Sequence, residues 1–208
     1  MASVNMIDLM SEVADYHEKL KCPLTRQQAA IALNVEIVEV LNELPWKPWR
    51  PADYKEINKR HLVEEAVDVF FFYEYLVGAA GLTWITGSDQ DKNKNGLSPD
   101  LAALLERAGF CDEPRITRPM EQRNICMSMF EQLMAVTSQI GQPHMVLIMA
   151  EPVSELDIRL FQLWEAYYIN LLYQLGITAD EFADAFNEKM RVNYQRIADG
   201  YTNTNNNN

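Results

Sequence analysis

The sequence predicts an all-α protein, a helical bundle, and three observations predict it. Long runs with helical spacing of apolar residues fill most of the 208 positions. Almost all of the nine prolines and eight glycines fall between those runs, where they end helices rather than interrupt them. Strand signals are scarce, and no internal repeat is evident.

Taken in order, residues 5–21 read as a first helix, ended by Cys22-Pro23. Thr25-Arg26-Gln27-Gln28 sets a hydroxyl three residues before a Gln, the form of a capping box, and opens a second helix to about Leu44. Pro45, Pro48 and Pro51 exclude helix from Pro45-Trp46-Lys47-Pro48-Trp49-Arg50-Pro51, because proline lacks the N–H that a helix interior requires. A third helix is expected from about Tyr54 to Val77, ended by Gly78, Gly81 and Gly87. Residues 86–97 hold Asp89, Asp91, Asn93, Asn95 and Gly96 and read as a loop. Ser98-Pro99 then supplies an N-cap and a first-turn proline for another helix. Residues 119–140 and 154–175 are further helices, with Pro143 and Pro152 bracketing the short apolar piece from Met145 to Ala150. A second capping box, Thr178-Ala179-Asp180-Glu181, opens the last helix, to about Ile197. The low-complexity Asn tail from Thr202 to Asn208 is expected to be disordered.

Composition removes several functions. Thirty acidic residues against 18 basic give a net charge of −12, leaving no excess of Lys and Arg for nucleic-acid phosphates or an anionic membrane surface. The longest apolar candidate, around Ala66 to Ala80, is interrupted by Asp68 and Glu74, so no transmembrane helix is expected. Cys22, Cys111 and Cys126 are odd in number and far apart, which argues against a disulfide framework or a zinc cluster. With no basic, then apolar, N-terminal segment, the expected setting is reducing and cytoplasmic.

The chemistry resides in two acidic pairs. Glu36-Ile37-Val38-Glu39, with Glu43 one turn later, puts three carboxylates in a stripe roughly 60° wide on the second helix. The rest of that helix is nearly all apolar, so it reads as buried apart from the stripe. Glu65-Ala66-Val67-Asp68 repeats the device on the third helix, ahead of Val69, Phe70, Phe71, Phe72 and Tyr73. A single acidic pair of this spacing decorates many solvated helices, but two on consecutive apolar helices are uncommon. Unpaired buried charge costs several kcal/mol, roughly, and facing carboxylates repel. A divalent cation removes both costs, and Mg²⁺ suits an all-oxygen ligand set shared with substrate phosphate. The residues therefore point to phosphoryl chemistry.

Glu36-x-x-Glu39, about 25 residues, then Glu65-x-x-Asp68 resembles the metal signature of the all-α nucleoside triphosphate pyrophosphatases, which include the dimeric dUTPases, phage dCTPase-dUTPases and MazG-type enzymes. Trp46-Lys47-Pro48-Trp49-Arg50 is similar to the WKxWK segment of the dimeric dUTPases and phage dCTPases. Lys189-x-x-x-Asn193-x-x-Arg196-x-x-x-Gly200-Tyr201 resembles the closing motif of dimeric dUTPases. The resemblance implies Mg²⁺ bound by Glu36, Glu39, Glu65 and Asp68, with Glu39 above all, beside Glu36, handling the attacking water. It implies phosphate contacts from Lys189, Asn193, Arg196 and Tyr201, and a nucleotide site bordered by Trp46, Lys47 and Trp49, with Phe72 a candidate to stack on the base. It implies hydrolysis of a pyrimidine deoxynucleoside triphosphate, dUTP foremost and dCTP or broad clearance of nucleotides next, by a homodimer. A homodimer also fits the apolar content of residues 66–77 and 158–175, which exceeds what one small bundle needs to bury. The expected organisation is one domain over 1–201, a variable insertion at about 84–150, and the tail 202–208. Two positions depart from the family pattern: Phe71 stands where a His is frequent, and Tyr16-His17-Glu18-Lys19 lacks the Gln and Asn with which dimeric dUTPases read the base. The rival outside enzymology is a helical interaction protein whose acidic stripe meets a basic partner.

Other signals are weaker. Asp91-x-Asn93-x-Asn95-Gly96 imitates half of a calcium loop, but Ala102 stands where the bidentate Glu belongs. Met120, Met127, Met129 and Met134 read as adaptable core filling.

Overall fold

In a computed structural model, residues 6–21, 23–51, 54–84, 96–97, 120–142 and 155–200 are the described part of the chain. They form six helices: α1 Met6–Leu20, α2 Arg26–Asn42, α3 Lys59–Ala79, α4 Met120–Gly141, α5 Glu155–Gln174 and α6 Ala179–Ala198. One parallel pair of two-residue strands, β1 Thr83–Trp84 and β2 Gly96–Leu97, is the remaining regular element. The helix expected at Ser98-Pro99, the calcium-like loop residues, most of the 84–150 segment, Cys22, Cys111 and the Asn tail lie outside the described residues.

Both capping boxes form. The Thr25 hydroxyl accepts from the Gln28 N–H at 3.2 Å, and the Gln28 side chain accepts from the Thr25 N–H at 2.9 Å. Thr178 and Glu181 repeat the exchange at 3.2 and 2.8 Å. Each box satisfies two donors that a helix start otherwise leaves open. The third helix starts later than its sequence suggests, at Lys59 rather than Tyr54. Asn58 takes an extended conformation and its side chain accepts from the His61 N–H, a stronger start signal than the residues before it offer. Gly78 lies inside α3 rather than ending it. The turn comes at Gly81, whose φ of +72° suits glycine.

The fold is organised around α3. It packs against α2 on one side and α6 on another, α1 lies against α3 and α6, and α4 bridges α2 to α5. Most of α3 is core: Leu62, Ala66, Val67, Val69, Phe70 and Leu76 are buried, among others. Several polar groups in that interior are paired across helices, which offsets the cost of their burial. Tyr73 donates to Glu165 Oε1 at 2.9 Å while its ring stacks on Trp164. Trp164 donates to Thr137 at 2.8 Å, and Tyr168 donates to the Ala66 carbonyl at 2.6 Å. Helix ends are also tied by side chains. Arg26 donates to the Ile140 carbonyl at the end of α4, and Lys59 donates to the Leu175 and Gly176 carbonyls at the end of α5.

Two expectations about apolar surface are corrected. The apolar residues of 66–77 and 158–175 are largely absorbed within this one bundle, including Phe161, Trp164, Tyr168 and Leu172. The surplus is on α2, whose apolar residues are not all buried apart from the acidic stripe: Ile31, Val35 and Val38 are 59%, 50% and 39% exposed. Their spacing of four and three puts them on one face. Cys126 is buried, and Met127, Met129 and Met134 pack against the core. Among the described residues no helix is long and apolar enough to cross a membrane.

Two predictions follow from the packing. A Cβ on Gly141 would lie 2.3 Å from the Ala30 Cβ. Gly141→Ala must therefore push α2 from α4 and is expected to lower unfolding free energy by about 1–3 kcal/mol in a urea titration. Burial pushes Glu165 up to about 8, against the opposing hydrogen bond from Tyr73. A carboxyl raised on folding stabilises fully below its unfolded value and loses that contribution as pH rises through the folded one. Above about pH 6.5, where the opposite contribution of the depressed His17 is complete, melting temperature in EDTA should thus fall toward pH 8, and Glu165→Gln should flatten part of that slope.

Candidate metal centre

The packing of α2 on α3 sets their acidic pairs face to face. Carboxylate oxygens of Glu36, Glu65 and Asp68 lie within 4.8 Å of one another. All three side chains are half-buried. Glu39, one turn along α2, is exposed at the rim; its charge acts on all three, although it stands outside the tight group.

The electrostatics are those of crowded anions short of cations. Burial, then the charges of Asp68, Glu39 and Glu65, push Glu36 up to about 7. Burial also raises Glu65, with Asp68 and Glu39 adding to it and His61 and Lys189 opposing. Burial raises Asp68 too, against the hydrogen bond and charge of Lys189. Lys189 reaches from α6 to both Asp68 oxygens, at 2.5 and 2.6 Å. His61, one turn before Glu65, turns Nε2 to Glu65 at 3.4 Å and Nδ1 to Glu43 at 3.3 Å. The donor set fits a hard divalent cation. It is all carboxylate oxygen, and in an octahedral shell of 2.0–2.1 Å bonds such oxygens stand about 2.9–4.2 Å apart, a small contraction from the spacing here.

The remaining sequence-selected residues distribute around this centre. Lys189 and Arg196 line a groove of about 820 Å³ between α3 and α6, together with Lys59, Arg60, Glu64 and Glu188. Asn193 is buried on α6, and Tyr201 lies outside the described residues. Phe72 is half-buried one turn beyond Asp68, and its ring stacks on Tyr75, which in turn stacks on His17 of α1. Burial pushes His17 down to about 3, so the imidazole is neutral at physiological pH. Phe71, at the position of the family's frequent His, is buried and stacks on Phe186.

The structure does not seat the tryptophan segment against the carboxylates. Trp46 lines a separate groove of about 480 Å³ with Leu41, Met127, Phe130 and Met134. Leu41 is about 140° round α2 from Glu36, which puts that groove on the α4 side. Trp49 is exposed and meets Trp46 edge-on, with ring centroids 5.6 Å apart. Lys47 holds its ammonium 5.9 Å from the Trp46 ring.

Sequence reasoning missed His61. Lys55 in the connecting segment pairs with Glu43, and at the start of α3 Lys59 pairs with Glu181 and Arg60 with Glu64. The available signal was the four-residue spacing from His61 to Glu65, which puts both on one helix face.

The sequence model of the dUTPase family matches residues 5–201, a span that takes in all six helices. No curated protein matches the chain.

The crowding would make uptake of a divalent ion here pH-dependent. A proton on Glu36 competes with a cation, so Mg²⁺ affinity of the nucleotide-free protein should rise across about pH 6 to 8. Saturating Mg²⁺ should raise the melting temperature, with about 2.7 kcal/mol of stabilisation at a hundred times Kd. Asp68→Asn should shrink that shift. Thermal melts in EDTA and in graded Mg²⁺ read both effects.

Proposed function

The chain belongs to the dUTPase family, and from that premise we propose that it hydrolyses dUTP to dUMP and diphosphate with Mg²⁺ held by Glu36, Glu39, Glu65 and Asp68. It is an enzyme of the nucleoside triphosphate diphosphatase kind, which displaces the reading of a helical interaction protein. The observation that carries the metal assignment is the convergence of Glu36, Glu65 and Asp68 from two helices.

Divalent ions bound there would supply positive charge against the phosphate oxygens and acidity for the attacking water. The chain's own residues divide the remaining work. Glu39, exposed on α2, would orient that water and accept its proton. Lys189 and Arg196, on the wall of the groove beside Asp68, neutralise charge on the departing diphosphate, with Asn193 and Tyr201 completing the phosphate contacts. For Lys189 this means exchanging Asp68 for a phosphate oxygen. Phe72 supports the base by stacking, one helical turn from the carboxylates. Trp46, Lys47 and Trp49 border the nucleotide site by resemblance alone, since the groove that Trp46 lines faces α4. The exposed face of Ile31, Val35 and Val38 supports a homodimer joined through α2.

A second reading, dCTP as substrate, is favoured by one observation. The first helix presents a neutral His17 under Tyr75 in place of the Gln and Asn pair of dUTP-reading relatives.

A diphosphate-release assay over the common nucleotides separates these readings. dUTP is expected to turn over fastest and EDTA to abolish turnover. Glu39→Gln should lower kcat by about 10²–10⁴-fold with an unchanged circular dichroism spectrum. Faster turnover of dCTP would transfer the assignment to the second reading, and undiminished turnover in EDTA would remove the metal.

A further inference from the structure

We propose that His61 is a positioning residue for the acidic centre, fixing the Glu65 carboxylate toward Glu36 and Asp68 by bridging it to Glu43. The inference rests on the metal assignment above and concerns a residue outside the ligand set.

Four side chains form a row. Lys55 Nζ pairs with Glu43 Oε2 at 3.2 Å, and that same oxygen faces His61 Nδ1 at 3.3 Å. His61 Nε2 faces Glu65 Oε1 at 3.4 Å. Lys55 is itself anchored, donating to the Asn42 carbonyl at 2.6 Å. The two carboxylates are largely enclosed, 16% and 15% exposed, while the imidazole between them is 48% exposed. His61 therefore caps them from the solvent side.

The places these residues occupy give the row its consequence. Glu43 is the C-cap of α2, Lys55 belongs to the link between the helices, and His61 and Glu65 occupy the first two turns of α3. The row thus ties the end of the helix that carries Glu36 to the start of the helix that carries Glu65 and Asp68. Without a tie, repulsion among the carboxylates would turn Glu65 outward, because its side chain has three rotatable bonds and water lies within reach. Lys189 restrains Asp68 from the α6 side. His61 does the same for Glu65 from the opposite end of the cluster. An outer partner that orients a ligating carboxylate contributes about 10- to 100-fold in metal affinity.

The test is metal binding by the full-length, nucleotide-free protein, with Mn²⁺ followed by electron paramagnetic resonance and Mg²⁺ by competition. His61→Ala should weaken Mn²⁺ binding about 10- to 100-fold, with the melting temperature in EDTA nearly unchanged, since exposed ion pairs contribute little to stability. His61→Gln, which keeps one amide donor within reach of Glu65, should recover part of the loss. Glu43→Gln, on the other side of His61 from Glu65 and outside the ligand set, should weaken binding in the same direction and by less. Unchanged or tighter Mn²⁺ binding in His61→Ala would overturn the proposal, tighter binding identifying His61 as a competitor of the ion. So would a loss of affinity matched by an equal loss of metal-free stability in all three variants. A wild-type protein that takes up no metal overturns the metal assignment and this inference together, whereas wild-type uptake left untouched by all three substitutions overturns this inference alone.

Discussion

Mutual repulsion among Glu36, Glu39, Glu65 and Asp68 is the constraint around which the molecule is arranged. Three of those carboxylates are partly withdrawn from water, and water is what normally screens such charges. The fold tolerates this because α2 and α3 are fixed elsewhere: a capping box starts one, an Asn cap starts the other, and an apolar seam joins them. Buried residues on both helices hold the acidic faces in opposition whatever the charges prefer. The stability spent there is recoverable only by cations, and Lys189 and His61 meet part of that demand.

The overall charge sharpens the point. At −12 the chain repels a polyphosphate at long range, so recognition depends on local cations. At physiological ionic strength charges beyond about 8 Å are largely screened, which lets a small basic neighbourhood act alone. Lys59, Arg60, Lys189 and Arg196 line one groove beside the cluster, where Glu64, Glu181, Asp184 and Glu188 balance them, Glu64 pairing with Arg60 and Glu181 with Lys59. The groove is thus balanced in charge, while the chain as a whole is strongly acidic.

Much of the helical skeleton was legible because local chemistry dictates it. Thr25-Arg26-Gln27-Gln28 and Thr178-Ala179-Asp180-Glu181 specify helix starts through bonds made within four residues, and both form. Convergence of Glu36 with Glu65 and Asp68 was legible through periodicity combined with the burial cost of charge. Other features were not, because they depend on tertiary partners. Ile31, Val35 and Val38 read as core, and only the positions of α3 and α4 decide that they face outward. Lys189 reads as a phosphate ligand, yet which anion it meets depends on how α6 lies on α3. Trp46 and Trp49 read as bordering the same site as the carboxylates, yet Trp46 lines a groove on the α4 side and Trp49 is exposed beside it. His61 gave a spacing signal to Glu65 but none to Glu43, whose approach requires the whole connecting segment to fold back.

The central claim is that these carboxylates share divalent ions. The most direct measurement is anomalous scattering from crystals of the protein grown with Mn²⁺. A peak bonded to oxygens of Glu36, Glu65 and Asp68, with the Lys189 ammonium drawn away from Asp68, is the predicted result. Crystals with Mn²⁺ at other surface carboxylates, no peak in the cluster, and Lys189 still paired with Asp68 would contradict it.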